Sequence, residues 1–148
     1  MAGWQRIGVT TNARPAAFLS AIPAEGEIDG FTFSVPEAAW PDINTREAAY
    51  DQLSLGNEKL IFSVPKSNQT PGEAPILRSY LDVVLQGFEA VFGPDSLERF
   101  IATTQSWERG IYDDRAAPLY PRAQKLTVDE TARYDALLVS VPVVRELM

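Results

Sequence analysis

Histidine and cysteine are both absent from the sequence. Proton transfer must therefore fall to carboxylates, tyrosines or lysines, and thiol nucleophiles are excluded. Within that restriction the string Ile43-Asn44-Thr45-Arg46-Glu47-Ala48-Ala49-Tyr50-Asp51 stands out. It ends a short helical pattern and precedes a strand-like run, which puts the Glu47 carboxylate near a helix C-terminus. The partial negative charge there disfavours a second one, a setting that suits a general acid or base. The same position also suits a solvated surface glutamate. Tyr80 is the second residue of interest. It lies on the first turn of the strongest helical pattern, in Pro75-Ile76-Leu77-Arg78-Ser79-Tyr80-Leu81-Asp82. Free backbone amides at a helix start could meet a carboxylate ligand there. Equally, Tyr80 could be a half-buried aromatic that closes the preceding loop onto the core.

Other chemistries find less support. Asp113-Asp114-Arg115 offers two adjacent carboxylates, hard oxygen ligands for a divalent cation. Adjacent residues rarely converge on one ion, so a loop ion pair with Arg115 or Arg122 is expected and no metal site is assigned. Tyr120 and Arg122 in the continuation then read as structural. Neither G-x-x-x-x-G-K nor G-x-G-x-x-G occurs, and a Ser-His-Asp triad is impossible without histidine. Glu25 and Glu27 flank Gly26 in an expected turn and read as solvated rather than as a glycosidase pair. Trp4, Trp40 and Trp107 are widely spaced and read as core or rim packing.

The elements that must hold these residues follow from hydrophobic periodicity. Strands are expected from Trp4 to Thr10, Ala16 to Ile22 and Ile28 to Val35, with Phe31, Phe33 and Val35 on one face. Turns are expected at Asn12-Ala13-Arg14-Pro15 and Pro23-Ala24-Glu25-Gly26. Pro36 opens a helical turn that Pro41 interrupts, giving two short turns or a kink in place of one regular helix, running out near Glu47 or Ala48. Tyr50 to Leu55 and Leu60 to Val64 read as a hairpin joined at Gly56-Asn57. Lys66 to Pro75 reads as the most mobile loop. A helix is expected from Ile76 to Phe92, with Gly87 marking close approach of another backbone. A second begins at Asp95, and a third at the capping box Thr127-Val128-Asp129-Glu130. Strands early and helices late predict an α+β domain spanning residues 1–148.

At 148 residues, a chain buries about 68–70% of its unfolded surface and needs no disulfide staples. The absence of cysteine suits a reducing cytoplasm. The net charge of −7 with scattered basic residues argues against nucleic-acid partners. No apolar stretch approaches the length of a membrane span, and the first residues lack the pattern of a secretory signal.

The order of these pieces resembles the gamma-glutamylcyclotransferase-like family. The strings Ile43–Tyr50 and Ile76–Gly87 are similar to its L-D-x-x-E-G and S-x-x-Y-L-x-x-I-x-x-G elements. Asp113–Arg122 looks like a segment of a bacterial subgroup, and the resemblance spans roughly residues 3 to 125. It implies a mixed, partly closed sheet or barrel with two or three packing helices. By resemblance Glu47 is the catalytic acid/base and Tyr80 lines the substrate pocket. The implied reaction is intramolecular aminolysis of a gamma-glutamyl amine or amino acid, releasing 5-oxoproline without metal or cofactor. An inactive relative that binds a small ligand or a protein is the alternative. Two departures are visible: Ala48 stands where the family has glycine, which predicts strain if the backbone needs positive φ, and no Y-G-S-N-type loop occurs. An opening strand lacking with that loop would leave a sheet edge open to a second copy of the chain.

Overall fold

The computed structural model describes residues 1–11, 15–69 and 74–147. Asn12 to Arg14 of one expected turn, and Pro71 and Gly72 of the expected mobile loop, lie outside the described residues. In chain order the elements are β1 (Ala2–Val9), β2 (Phe18–Glu27), α1 (Trp40–Arg46), β3 (Asp51–Gly56), β4 (Lys59–Ser63), β5 (Ile76–Leu77), α2 (Arg78–Phe92), α3 (Ser96–Ala102), β6 (Thr104–Gln105), β7 (Ile111–Tyr112), α4 (Val128–Leu137) and β8 (Val143–Val144). The class is α+β, as the order of periodicities predicts.

The strands do not make one partly closed sheet or barrel. Among the described residues they form three small sheets, ordered β2-β1-β6, β3-β4 and β5-β7-β8. Pairing is mixed: β1–β2 and β3–β4 are antiparallel, while β1–β6, β5–β7 and β7–β8 are parallel. The sheets touch at their ends. Ala17 bridges Ile76, and β4 leans on β2 where Ser63 Oγ donates to Ala21 O and Val64 N donates to Ser20 Oγ.

Two strand expectations fail for one reason, the availability of partners. Pro23 does not break a strand, because β2 runs through it from Phe18 to Glu27. β2 is the outer strand of its sheet, and a missing N–H is tolerated on an edge. Residues 28–36 adopt no regular structure and, among the described residues, pair with no strand beyond the two hydrogen bonds between Ile28 and Met1. Phe31 and Phe33 are consequently exposed, with ring centroids 6.2 Å apart.

The helices build the core. Leu81 and Leu85 of α2 belong to one buried cluster with Leu97 and Phe100 of α3, Tyr134 and Leu138 at α4, Ile76 and Ile111 from the strands, and Ala17 just before β2. Tyr134 is fully buried and donates its hydroxyl to Glu89 Oε2 at 2.7 Å. Burial first, and Glu89 second, push that phenol upward and keep it protonated. The capping box predicted at Thr127 forms in full, with both reciprocal hydrogen bonds to Glu130 present. Gly110 is required where it stands: its φ is +75°, and an added Cβ would lie 2.8 Å from Val144 Cγ1 and 2.9 Å from Pro142 O. Among the described residues no helix is long and apolar enough to cross a membrane.

Gly87 does not mark a close backbone approach. A Cβ built there meets nothing within 4 Å, so the residue weakens the middle of α2 with no packing in return. Gly87→Ala is expected to stabilise the protein by about 0.5–1 kcal/mol, through helix propensity alone. Urea denaturation measures this; a destabilised variant would mean that the helix face is occupied.

Candidate functional site

Glu47 owes its position to two prolines. Pro36 starts a single 3-10 turn over Glu37–Ala39, and Pro41 falls in the first turn of α1, where a missing N–H is harmless. α1 therefore ends after seven residues with Glu47 as its C-cap. The Glu47 N–H donates to Ile43 O at 2.8 Å, and its carbonyl accepts from Tyr50 N at 2.9 Å. Side chains tie the helix and its end to later segments: Gln52 Nε2 donates to Asn44 Oδ1, and Asn68 Nδ2 to Ala49 O, both at 2.7 Å. The Glu47 side chain is 21% exposed, and its Oε1 accepts from Arg46 Nε at 2.7 Å, while the Arg46 side chain is 61% exposed. The strain expected at Ala48 does not arise. Positive φ among described non-glycine residues occurs at Asn57, Glu58 and Ser106, and not at Ala48.

Tyr80 is half-buried on the first turn of α2. Its hydroxyl accepts from Leu19 N at 3.1 Å, and its ring stands edge-on to Phe18 (4.7 Å) and to Tyr120 (5.2 Å). A hydrogen-bonded route joins this residue to Glu47. The Glu47 turn leads into β3, Asp51 pairs with Ser63 on β4, and Ser63 bonds Ala21 on β2, two residues from Leu19.

The amide at the start of α2 meets a carboxylate, but one belonging to the protein. Leu77 at the N-cap has no side-chain acceptor, so the helix depends on another segment for its cap. Asp114 supplies it. Its Oδ1 accepts from Ser79 N at 2.7 Å, and its Oδ2 accepts from Ser79 Oγ at 2.5 Å and Leu119 N at 2.9 Å. Tyr120 N then donates to Ser79 Oγ at 3.3 Å. The negative charge lies where the helix dipole favours it.

Arg115 does not pair with its own loop; it crosses to α2 and α4. Its Nε and Nη2 donate to the two Asp82 oxygens at 2.6 and 2.9 Å, and Nη1 donates to Asp135 Oδ1 at 2.7 Å. Arg78 completes the ring through Nη2 to Asp135 Oδ1 at 2.5 Å. Its Nε lies 3.1 Å from Asp82 Oδ1, close enough to pair but not aligned for a hydrogen bond. Burial lowers the Arg78 pKa, whereas the hydrogen bonds that Arg115 donates to Asp82 raise that of the more exposed Arg115. Asp113 turns away and accepts from Arg115 N at 3.2 Å. Asp113 and Asp114 thus serve different partners, and no group of three or more acidic side chains among the described residues is arranged for a metal.

Two hollows accompany this arrangement. One, of about 200 Å³, is walled by Phe18, Leu77, Leu119, Tyr120, Pro121 and Leu147. The other, about 380 Å³ and more open, lies between Phe31 and the Val84–Gly87–Phe88 face of α2. Neither is lined by Glu47 or Tyr80. The structure thus links the two residues singled out from sequence only through a chain of strand pairing and side-chain hydrogen bonds, and neither of the two hollows holds them together. What sequence reading missed is the role of Asp114, which caps α2 instead of pairing within its loop. Its only local signal is an acidic residue next to an Arg, and the groups it binds are 35 and 5 residues away. No protein-family profile, curated protein or solved structure matches the chain.

Removing one partner from such a network leaves buried charge uncompensated. Arg115→Met is expected to lower stability by about 2–4 kcal/mol, and Asp114→Asn by a similar amount, since its amide turns a donor towards other donors. Urea denaturation of both variants measures these losses. A change within about 0.5 kcal/mol, as at ordinary surface sites, would contradict the assignment.

Proposed function

We propose that this chain is a gamma-glutamylcyclotransferase-type enzyme, with Glu47 as acid/base and Tyr80 as part of the substrate-holding wall, carried on an α+β fold. The observation that carries the reading is a half-buried carboxylate on a capped helix end, joined through β3 and β4 to the strand that holds the Tyr80 hydroxyl. A positioned carboxylate and a folded-back substrate are what the reaction needs. The α-nitrogen attacks the γ-carbonyl carbon and forms the new C–N bond of 5-oxoproline. The old C–N bond to the leaving amine breaks, and Glu47 relays two protons, one at a time, from the α-nitrogen to the leaving nitrogen, which departs as the ammonium. No electrons are exchanged with any other reagent.

The Arg46–Glu47 pair does not block this role. Arg46 is largely in solvent, and such pairs contribute about 0–1 kcal/mol. An incoming α-ammonium can take the guanidinium's place. An intracellular setting fits a chain without cysteine.

The same pair favours a second reading. A glutamate held by its neighbour, outside both hollows, also fits a relative that binds a ligand or partner without turnover. Release of 5-oxoproline from a panel of gamma-glutamyl amines and dipeptides separates the two. The enzyme reading expects release that falls about 10²–10⁴-fold in Glu47→Gln with unchanged folding. Equal release by the variant would remove Glu47 from the mechanism, and no release from any substrate would leave the binding reading.

A further inference from the structure

The hollow beside Tyr120 is assigned no role by the chemistry above, and it has the makings of a ligand site. Its walls come from β2 (Phe18), β5 (Leu77), the segment that Asp114 anchors (Leu119, Tyr120, Pro121) and Leu147 near the chain end. Among the described residues no Asp, Glu, Lys or Arg lines it. Three backbone donors at or beside these walls are engaged elsewhere: Leu119 N with Asp114, Tyr120 N with Ser79, and Ala17 N with Pro75 O. A charged guest would lose its hydration and find no partner. An apolar guest loses nothing and gains contact with aromatic and aliphatic walls.

Size narrows the class further. The hollow measures about 200 Å³, whereas an apolar cavity of about 150 Å³ accepts benzene. A single aromatic ring with a short substituent, or a compact branched alkyl group, fills the space. The walls are also preformed. Asp114 fixes Leu119 and Tyr120 to α2, and Tyr120 in turn packs edge-on against Tyr80. A site that does not have to order itself loses less on binding.

We infer that this hollow is a binding site for a small, uncharged, apolar molecule or substituent of roughly six to ten non-hydrogen atoms. The site stands whether or not Glu47 performs cyclisation, because it rests on different residues.

The test is an NMR titration of the full chain with toluene, and separately with benzylammonium and benzoate as charged compounds of similar shape. Toluene is expected to give saturable shifts at the amides of Ala16, Phe18 and Leu119, with both charged probes at least tenfold weaker. Leu119 is 53% exposed, so Leu119→Asp changes the mouth of the hollow without opening the core. That variant is expected to weaken toluene binding at least tenfold while its unfolding midpoint stays close to that of the parent. If it fails to fold, Leu147→Glu makes the same test from another wall residue. Absence of saturable shifts with toluene, equal binding of a charged probe, or undiminished binding by a folded variant would each overturn the assignment.

Discussion

A helix of fifteen residues begins at Arg78 with no side chain of its own to receive its first amides. The rest of the structure is arranged around that deficit. Unsatisfied N–H groups at a buried helix start are costly, and the dipole adds a partial positive charge that calls for an anion. Asp114, itself buried, answers both demands with one carboxylate. Because it also accepts from Leu119, the cap of α2 and the course of the 113–122 segment become one constraint.

The charged ring of Arg78, Asp82, Arg115 and Asp135 extends the same constraint to α4. Its net contribution to stability is small by the usual balance of desolvation against attraction. Its effect is on arrangement, since the buried members, Arg78 and Asp82, are unfavourable to bury unless their partners are present. Arg115 reaches Asp82 and Asp135 only if the loop before it is seated on the helix start. Cap and ring therefore reinforce each other, and together they set Tyr120 against Tyr80 and Phe18. The apolar hollow is the space left beside that aromatic group.

Local physics makes much of this legible. The capping box at Thr127, the paired short turns around Pro41, the hairpin and the long amphipathic helix all arise from residues within a few positions of one another. The hairpin turn is offset by one residue, with positive φ at Asn57 and Glu58 rather than a turn centred on Gly56-Asn57. The alternation at Ile28 to Val35 overstates strand character, since it reports a willing strand and not a partner. Pro23 misleads in the opposite sense, because an edge position removes its penalty. Of the candidate site, Glu47 at a helix end and Tyr80 on the first turn of α2 are legible from spacing. The Asp114 clamp is not, because its geometry depends on a contact across 35 residues.

Amide hydrogen exchange at Ser79 and Leu119 tests the central claim most directly, for both N–H groups donate to the one buried carboxylate. If Asp114 seats the segment on the helix as described, both amides exchange only through global unfolding, with matching protection. Exchange of Leu119 at the rate of a surface loop, while Ser79 stays protected, would show that segment and helix are not joined and would contradict the account.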